Sequence, residues 1–102
     1  MTVDITSDAI DYIKNEKNSS IVTIDLVNYG FSSGNYWEPT VSPGEPSNKS
    51  KYILEHVKDI DVYIYKEAES EPGGIKIYIQ PDPYSFNWLQ VSGLIYVRTE
   101  LG

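Results

Sequence analysis

Only one stretch of this chain has the repeat of an amphipathic helix, and it lies near the start of the sequence. In ITSDAIDYIKNEKN, apolar side chains recur at three- and four-residue intervals, at Ile5, Ala9, Ile10 and Ile13. Thr6 or Ser7 can cap this helix, and the helix dipole favours Asp8 in its first turn. No second helical pattern of comparable length follows, which argues against a doubly wound fold of repeated strand-helix units.

The segments after the helix have strand character. The clearest is IVTIDLV, residues 21–27, which is rich in β-branched residues and alternates between two faces. Residues 51–57, 60–66 and 75–80 are also strand-like, Lys58 and Asp59 can form a tight turn, and residues 86–97 offer one or two more strands. We therefore predict an α+β, mainly β fold, with one short N-terminal helix packed on a twisted, mostly antiparallel sheet or two small sheets. Residues 1–102 are expected to form a single domain.

A long segment between these strands has a different composition. Residues 28–50 are rich in Gly, Pro, Ser and Asn and have no helical period, which predicts a long structured loop, with YWEPTV as a short edge strand before Pro43. Aromatic residues in such a loop either anchor it or form a contact surface. The candidate binding residues are the serine pair of this loop and four residues that follow it: Ser32, Ser33, Gly34, Tyr36, Trp37 and Glu38.

Charge and cysteine content restrict the function. The chain has 8 Lys plus Arg against 15 Asp plus Glu and a formal net charge of −7, so its field repels phosphate backbones and anionic lipids. Nucleic acid and membranes are therefore disfavoured partners. There is no cysteine, which removes thiolate metal sites and thiol nucleophiles. The sequence has neither a secretory leader pattern nor a stretch of about 20 apolar residues, so the cytoplasm is the expected location.

Patterns typical of catalysis and metal binding are weak. GFSSG, residues 30–34, matches the bare Gly-x-Ser-x-Gly pattern around Ser32, but NYWEPTVSPGEP cannot supply the helix that a nucleophile elbow needs. His56 is the single histidine and would have to act as the base. The acidic residues match no calcium-loop spacing. We expect no catalytic residue and no metal site, and a serine-dependent hydrolase of Ser32 and His56 is the least favoured alternative.

Six segments occur in a characteristic order and cover nearly the whole chain: SDAIDYIK, VTIDLV, GFSSG, EPTVSPGEP, IDVYIYK and WLQVSGL. This order resembles the HesB/IscA-like family of A-type iron–sulfur cluster carriers, in particular the small HesB-like branch with a Cys-Cys or selenocysteine-Cys pair. The resemblance implies the HesB-like fold, and it places the thiol pair on Ser32 and Ser33. It also implies a second cysteine pair near the C-terminus, where this sequence reads YVRTELG.

The resemblance implies an iron–sulfur carrier-like protein without its thiol ligands. Hydroxyls are poor ligands for these clusters, so no cofactor is expected in this form. The chain has either lost the chemistry and kept the scaffold, or has serines in place of cysteines by design, or uses the fold for other work. The main alternative to a carrier-like protein is an interaction module that uses residues 28–46. A protein partner or a homodimer is compatible with the sequence.

Overall fold

The computed structural model describes residues 2–31, 34–81 and 87–95. Its elements follow the chain in this order: β1 (Val3–Ile5), α1 (Ser7–Asp11), a π-helical turn (Tyr12–Glu16), β2 (Ile21–Phe31), β3 (Gly34–Pro43), a 3-10 turn (Lys49–Lys51), β4 (Tyr52–Val57), β5 (Ile60–Tyr65), β6 (Glu69–Ser70), β7 (Ile75–Pro81), β8 (Asn87–Ser92) and β9 (Leu94–Ile95).

The described strands form three sheets. A three-stranded sheet has the order β1-β7-β8, a four-stranded sheet has the order β3-β2-β5-β4, and β6 pairs with β9. The pairs β1–β7 and β2–β5 are parallel, and the other pairs are antiparallel. The predicted α+β, mainly β class, with one short N-terminal helix and mostly antiparallel pairing, is confirmed.

The helix begins where the sequence predicts. Thr6 is the N-cap, and its hydroxyl accepts a hydrogen bond from the Ala9 N–H at 3.3 Å. Ala9 and Ile13 are fully buried. Ile5, which the periodicity assigned to the helix, instead ends β1 and pairs with Ile77. The sequence did not predict β1, because three residues are too few to show an alternating pattern and their partner strand is distant in the chain.

The core lies between the helix and the inner faces of the two larger sheets. Alternation in β5 is clear, since Ile60, Val62 and Ile64 are buried while the residues between them are half-buried. The buried apolar side chains are Ile5, Ala9, Ile13, Val22, Ile24, Ile60, Val62, Ile64, Ala68, Ile75, Ile77 and Val91. Both larger sheets and the helix therefore contribute to one cluster.

The prediction of a long loop over residues 28–50 is wrong for residues 28–31 and 34–43. The strand predicted to end at Val27 continues to Phe31, and β3 pairs with it along its whole length, from Val22 opposite Pro43 to Phe31 opposite Gly34. The expected edge strand is confirmed as an edge, but it is longer than YWEPTV. The prolines led to the wrong prediction because proline is depleted in strands generally but occurs on edge strands such as β3.

The two prolines of β3 occupy positions where no backbone donor is needed. Gly44 N–H donates to the Ile21 carbonyl at 2.7 Å, so even-numbered residues of β3 point their backbone groups towards β2. Odd-numbered residues, including Pro39 and Pro43, point outwards. The missing N–H groups therefore cost the β2–β3 ladder nothing and leave little for another strand to pair with.

The tight turn predicted at Lys58 and Asp59 is confirmed, with Lys58 at a positive φ of 56°. This turn also connects the two larger sheets. Lys58 Nζ donates to the Ile5 carbonyl at 2.8 Å and pairs with Asp4 at 3.4 Å. On the other side of the turn, Lys14 Nζ lies 3.3 Å from a carboxylate oxygen of Asp59. The β4–β5 turn is thus fixed to β1 and to the helical segment.

Helices in the described ranges are all short. None of them has the length and apolar character that crossing a lipid bilayer requires.

Candidate functional site

The structure places the described candidate residues along one strand instead of in a loop. Gly34, Tyr36, Trp37 and Glu38 all belong to β3. In the backbone ladder, Gly34 lies opposite Phe31, the residue that precedes the serine pair. Ser32 and Ser33 lie outside the described residues, so their predicted role stays a prediction.

The far half of the β2–β3 hairpin has no further strand beside it in the described ladder. β2 pairs with β5 only from Ile21 to Ile24, whereas it pairs with β3 as far as Phe31. The backbone of residues 28–31 and 34–37 is therefore paired only within the hairpin. Such a two-stranded ribbon has less support than the sheet from which it extends, which makes it suited to contact with another molecule.

A groove that the sequence did not predict begins at the base of the hairpin. It encloses about 310 Å³ between β3 and β8, the edge strands of the two larger sheets. Its lining residues are Glu38, Pro39, Thr40, Val41, Trp88, Leu89, Gln90 and Val91. Trp88 is 54% exposed. Strand patterns reveal β3 and β8 separately, but nothing in them indicates that two edges from different sheets face each other.

A polar cluster lies on the outer face of the four-stranded sheet. Tyr52 of β4 donates its phenolic hydrogen to a carboxylate oxygen of Asp25 on β2 at 2.7 Å. Its ring packs edge-on against Tyr65, with ring centroids 5.8 Å apart. Desolvation, together with the hydrogen bond and the charge of Asp25, raises the pKa of Tyr52 to about 12. The phenol is held neutral at physiological pH, so this cluster is a structural contact across three strands.

His56 is positioned as a sheet residue and not as the partner of the hairpin serines. It pairs across the β4–β5 ladder with Asp61, and its Nδ1 contacts the Asp61 carboxylate. Asp61 lies opposite Ile21, and Phe31 is ten positions further along β2. Ten strand residues span about 33 Å. His56 and the residue before Ser32 therefore lie at opposite ends of the sheet, which removes the support for a Ser32–His56 hydrolase.

Carboxylates do not gather into a metal site in the described ranges. Among residues 2–31, 34–81 and 87–95, no group of three or more His, Cys, Asp or Glu side chains is placed to hold a metal ion. Glu38, the acidic member of the candidate set, is exposed beside Val27 in the ladder.

Comparisons with known proteins agree with this geometry. A family model described as "CC/Se motif containing family" matches residues 1–94. Among solved structures, the chain is similar to a crystal structure of IscA with the 2Fe-2S cluster, with a TM-score of 0.61 and 14% sequence identity, over 90% of this chain and 85% of that chain. No curated protein matches. The IscA-like fold implied by the sequence resemblance is confirmed.

Proposed function

The chain belongs to the CC/Se motif containing family, and from that membership we propose that it is an iron–sulfur carrier-like protein that binds and does not catalyse. We further propose that it does not ligate a cluster through its own side chains. The observation that carries this proposal is the combination of a carrier-type fold with a sequence that has no cysteine. Protein-bound iron–sulfur clusters are held chiefly by soft thiolates.

The expected position of the missing thiols supports the proposal. The family resemblance assigns them to Ser32 and Ser33, which follow Phe31 at the end of β2. A serine hydroxyl is a hard ligand that stays protonated at neutral pH, whereas a thiol near a metal is readily deprotonated. Replacing both sulfur atoms with oxygen therefore removes the ligand chemistry and leaves the backbone scaffold in place.

The absence of a catalytic arrangement in the described residues supports binding over catalysis. A nucleophile needs a base within hydrogen-bond reach, and the single histidine of the chain is on β4, at the end of the sheet opposite to Phe31. A cytoplasmic location stays a prediction from the sequence.

A second candidate function is an interaction module built on the β2–β3 hairpin. This function is favoured because, in the described ladder, the backbone of residues 28–31 and 34–37 pairs only within the hairpin and has no third strand beside it. A partner that docks there should slow amide exchange in β3 from Gly34 to Glu38 while exchange in β5 stays unchanged. Exchange that slows equally in both strands would indicate general stabilisation and contradict docking at the hairpin.

The proposal is tested by restoring the thiols. We expect the double variant Ser32→Cys, Ser33→Cys to acquire visible absorption after anaerobic incubation with iron and sulfide, while the parent chain stays colourless. The Gly73→Cys variant controls for absorption that any added thiol would cause, because it places a thiol at a site remote from the hairpin in sequence and with no heavy atom within 4 Å of its added Cβ. Equal absorption from the parent or the control would contradict the proposed site.

A further inference from the structure

The groove between β3 and β8 has an apolar floor and a rim of different character. Alternation along each strand places Val41, Leu89 and Val91 on the sides that face the core, and all three belong to the core cluster or pack against it. Glu38 and Trp88 lie at alternate positions on the outward sides, and both are exposed. The groove therefore has a carboxylate on its β3 wall and an indole on its β8 wall, above a floor of apolar side chains.

Backbone carbonyls of both edge strands also face the groove. On β3, odd-numbered residues point away from β2, so Pro39 presents a carbonyl and, as a proline, no N–H. On β7, Ile75 N–H donates at 2.8 Å to the carbonyl that precedes β1, so odd-numbered residues of β7 bond towards β1 and even-numbered ones bond to β8. Paired residues of β7 and β8 have equal parity, which directs the Leu89 carbonyl outwards, to the groove. No hydrogen bond within residues 2–31, 34–81 and 87–95 uses either carbonyl.

Charge at the groove has one sign. Among the described residues that line it, Glu38 is the one with a charged side chain. Its carboxylate forms no ion pair within the described ranges. The whole chain has a formal net charge of −7. The local charge and the long-range field therefore attract the same kind of ligand, which is a cation.

We propose that the groove binds an arginine side chain of a partner protein, presented on an extended segment of that partner. A guanidinium group is planar, has five N–H donors and no acceptor, and stacks on tryptophan. The groove supplies a counterpart for each property: the Trp88 indole for the plane, the Glu38 carboxylate for the charge, and the carbonyls of Pro39 and Leu89 for the donors. The methylene stem of the arginine packs on the apolar floor.

The size of the groove agrees with this ligand. Its volume of about 310 Å³ is at the lower end of the roughly 300–1,000 Å³ of pockets that hold whole small molecules. One long side chain suits this space better than a helix or an added strand. The segment that carries the arginine then lies across the mouth of the groove, where its backbone stays outside the two sheets.

The arginine site does not use the residues that replace the thiols. Phe31, which precedes the serine pair, lies opposite Gly34, and Glu38 is four residues further along β3. Four strand residues span about 13 Å. The proposal therefore goes beyond the carrier-like function, and the absence or presence of a cluster does not decide it.

A titration of nitrogen-15-labelled protein with three capped tripeptides tests the proposal. Each peptide has valine at both ends, and the central residue is arginine, lysine or citrulline, which has the shape of arginine without its charge. We expect the arginine peptide to bind with a Kd of about 1 mM or below and to shift the amide signals of Thr40, Val41 and Leu89, while those of β4 stay unchanged. It should bind at least about threefold more tightly than the lysine peptide and about tenfold more tightly than the citrulline peptide.

Variants of the two walls locate the binding energy. Glu38→Gln and Trp88→Leu should each weaken binding of the arginine peptide about fivefold or more. Glu55→Gln is the matched control, because it removes the same charge from β4, at the opposite edge of the same sheet, and should bind like the parent chain. Far-UV circular dichroism shows whether each variant is folded, and Glu38 is exposed, so its replacement should leave the fold intact.

Four results would overturn the proposal. The first is the absence of a saturable shift up to about 10 mM arginine peptide. Equal affinity for the arginine and citrulline peptides would exclude a role for the charge, and equal affinity for the arginine and lysine peptides would exclude a role for the guanidinium plane. Equal weakening by Glu38→Gln and Glu55→Gln would assign the attraction to the net charge of the chain and not to the groove.

Discussion

Gly93 lies between β8 and β9, where three segments of backbone come together. Its φ is +90°, and its carbonyl accepts a hydrogen bond from Glu71 N–H at 2.7 Å. A Cβ atom added to Gly93 would lie 2.0 Å from the carbonyl oxygen of Gly74 and 3.0 Å from its carbonyl carbon. Both neighbours are backbone atoms, so no side-chain rotation relieves the contact. Gly93→Ala is therefore expected to destabilise the fold strongly.

Two effects contribute to the folding free energy that Gly93→Ala is expected to lose. A non-glycine residue at this φ costs roughly 1–2 kcal/mol. Ordinary contact begins at about 3.4 Å, so the backbone at Gly93 and Gly74 must separate by more than 1 Å, and overpacking of this kind costs about 1–3 kcal/mol. The sum is about 2–5 kcal/mol, a large part of the roughly 5–15 kcal/mol by which a domain is stable.

Substitutions at two other glycines separate the cost of the positive φ from the cost of the close backbone contact. Gly44 has a φ of +100° but no heavy atom within 4 Å of the added Cβ, so Gly44→Ala should cost about 1–2 kcal/mol. Gly73 has neither a positive φ nor a close neighbour, so Gly73→Ala should be neutral or stabilise by about 0.4–1 kcal/mol. Urea denaturation followed by circular dichroism gives all three values. If Gly93→Ala were as stable as Gly73→Ala, the close approach of β8 to the Gly74 turn would be refuted.

Three further predictions concern the core, the tyrosine contact and the helix cap. Ile64 is fully buried, so Ile64→Ala should lower the free energy of unfolding by about 2–5 kcal/mol in urea denaturation. The pKa of Tyr52 is raised from 10 to about 12 in the folded chain, so as the pH rises the phenol loses its proton in the unfolded chain before it does in the folded chain. The stabilisation linked to Tyr52 should be complete below pH 10 and lost between about pH 10 and 12, and Asp25→Asn should lower the pKa in an ultraviolet titration of the phenol. Thr6→Ala removes the acceptor for Ala9 N–H and should cost about 1 kcal/mol in thermal or urea unfolding.

Each of these predictions has a control and a contradicting result. Ile53→Ala truncates an exposed side chain on the neighbouring strand, and a cost as large as that of Ile64→Ala would contradict the assigned core. Tyr52→Phe should remove the late-titrating phenol, and its persistence would show that another tyrosine is responsible. Thr6→Ser keeps the hydroxyl acceptor and should behave like the parent, and equal loss in both Thr6 variants would rule out the cap as the cause.

Local patterns predicted most of the elements. The cap at Thr6, the β-branched run of residues 21–27 and the turn at Lys58 are signals confined to a few consecutive residues. They correctly indicated the helix, β2 and the β4–β5 hairpin. The spacing of Pro39 and Pro43, four residues apart, was the signal for β3 that the loop prediction overlooked, because an even spacing places both on the same outward side of an edge strand.

Features that depend on distant parts of the chain were not predicted. β1 owes its conformation to parallel pairing with β7, from Val3 opposite Ile75 to Ile5 opposite Ile77. β6 is a two-residue strand that forms against β9, and it is too short to show an alternating pattern. The groove between β3 and β8 depends on how two sheets approach each other, and no short pattern encodes that. Of the candidate residues, Gly34, Tyr36, Trp37 and Glu38 are brought together on one strand.

The central claim is that this family member has the carrier fold without the ability to ligate a cluster, and the iron content of the parent chain tests it most directly. The protein is incubated anaerobically with iron and sulfide, desalted, and analysed for iron and acid-labile sulfide per chain. We expect both to be near zero, because the chain has no cysteine and clusters are held chiefly by thiolates. Iron and sulfide retained in stoichiometric amounts would contradict the claim and would show that oxygen or nitrogen ligands suffice on this scaffold.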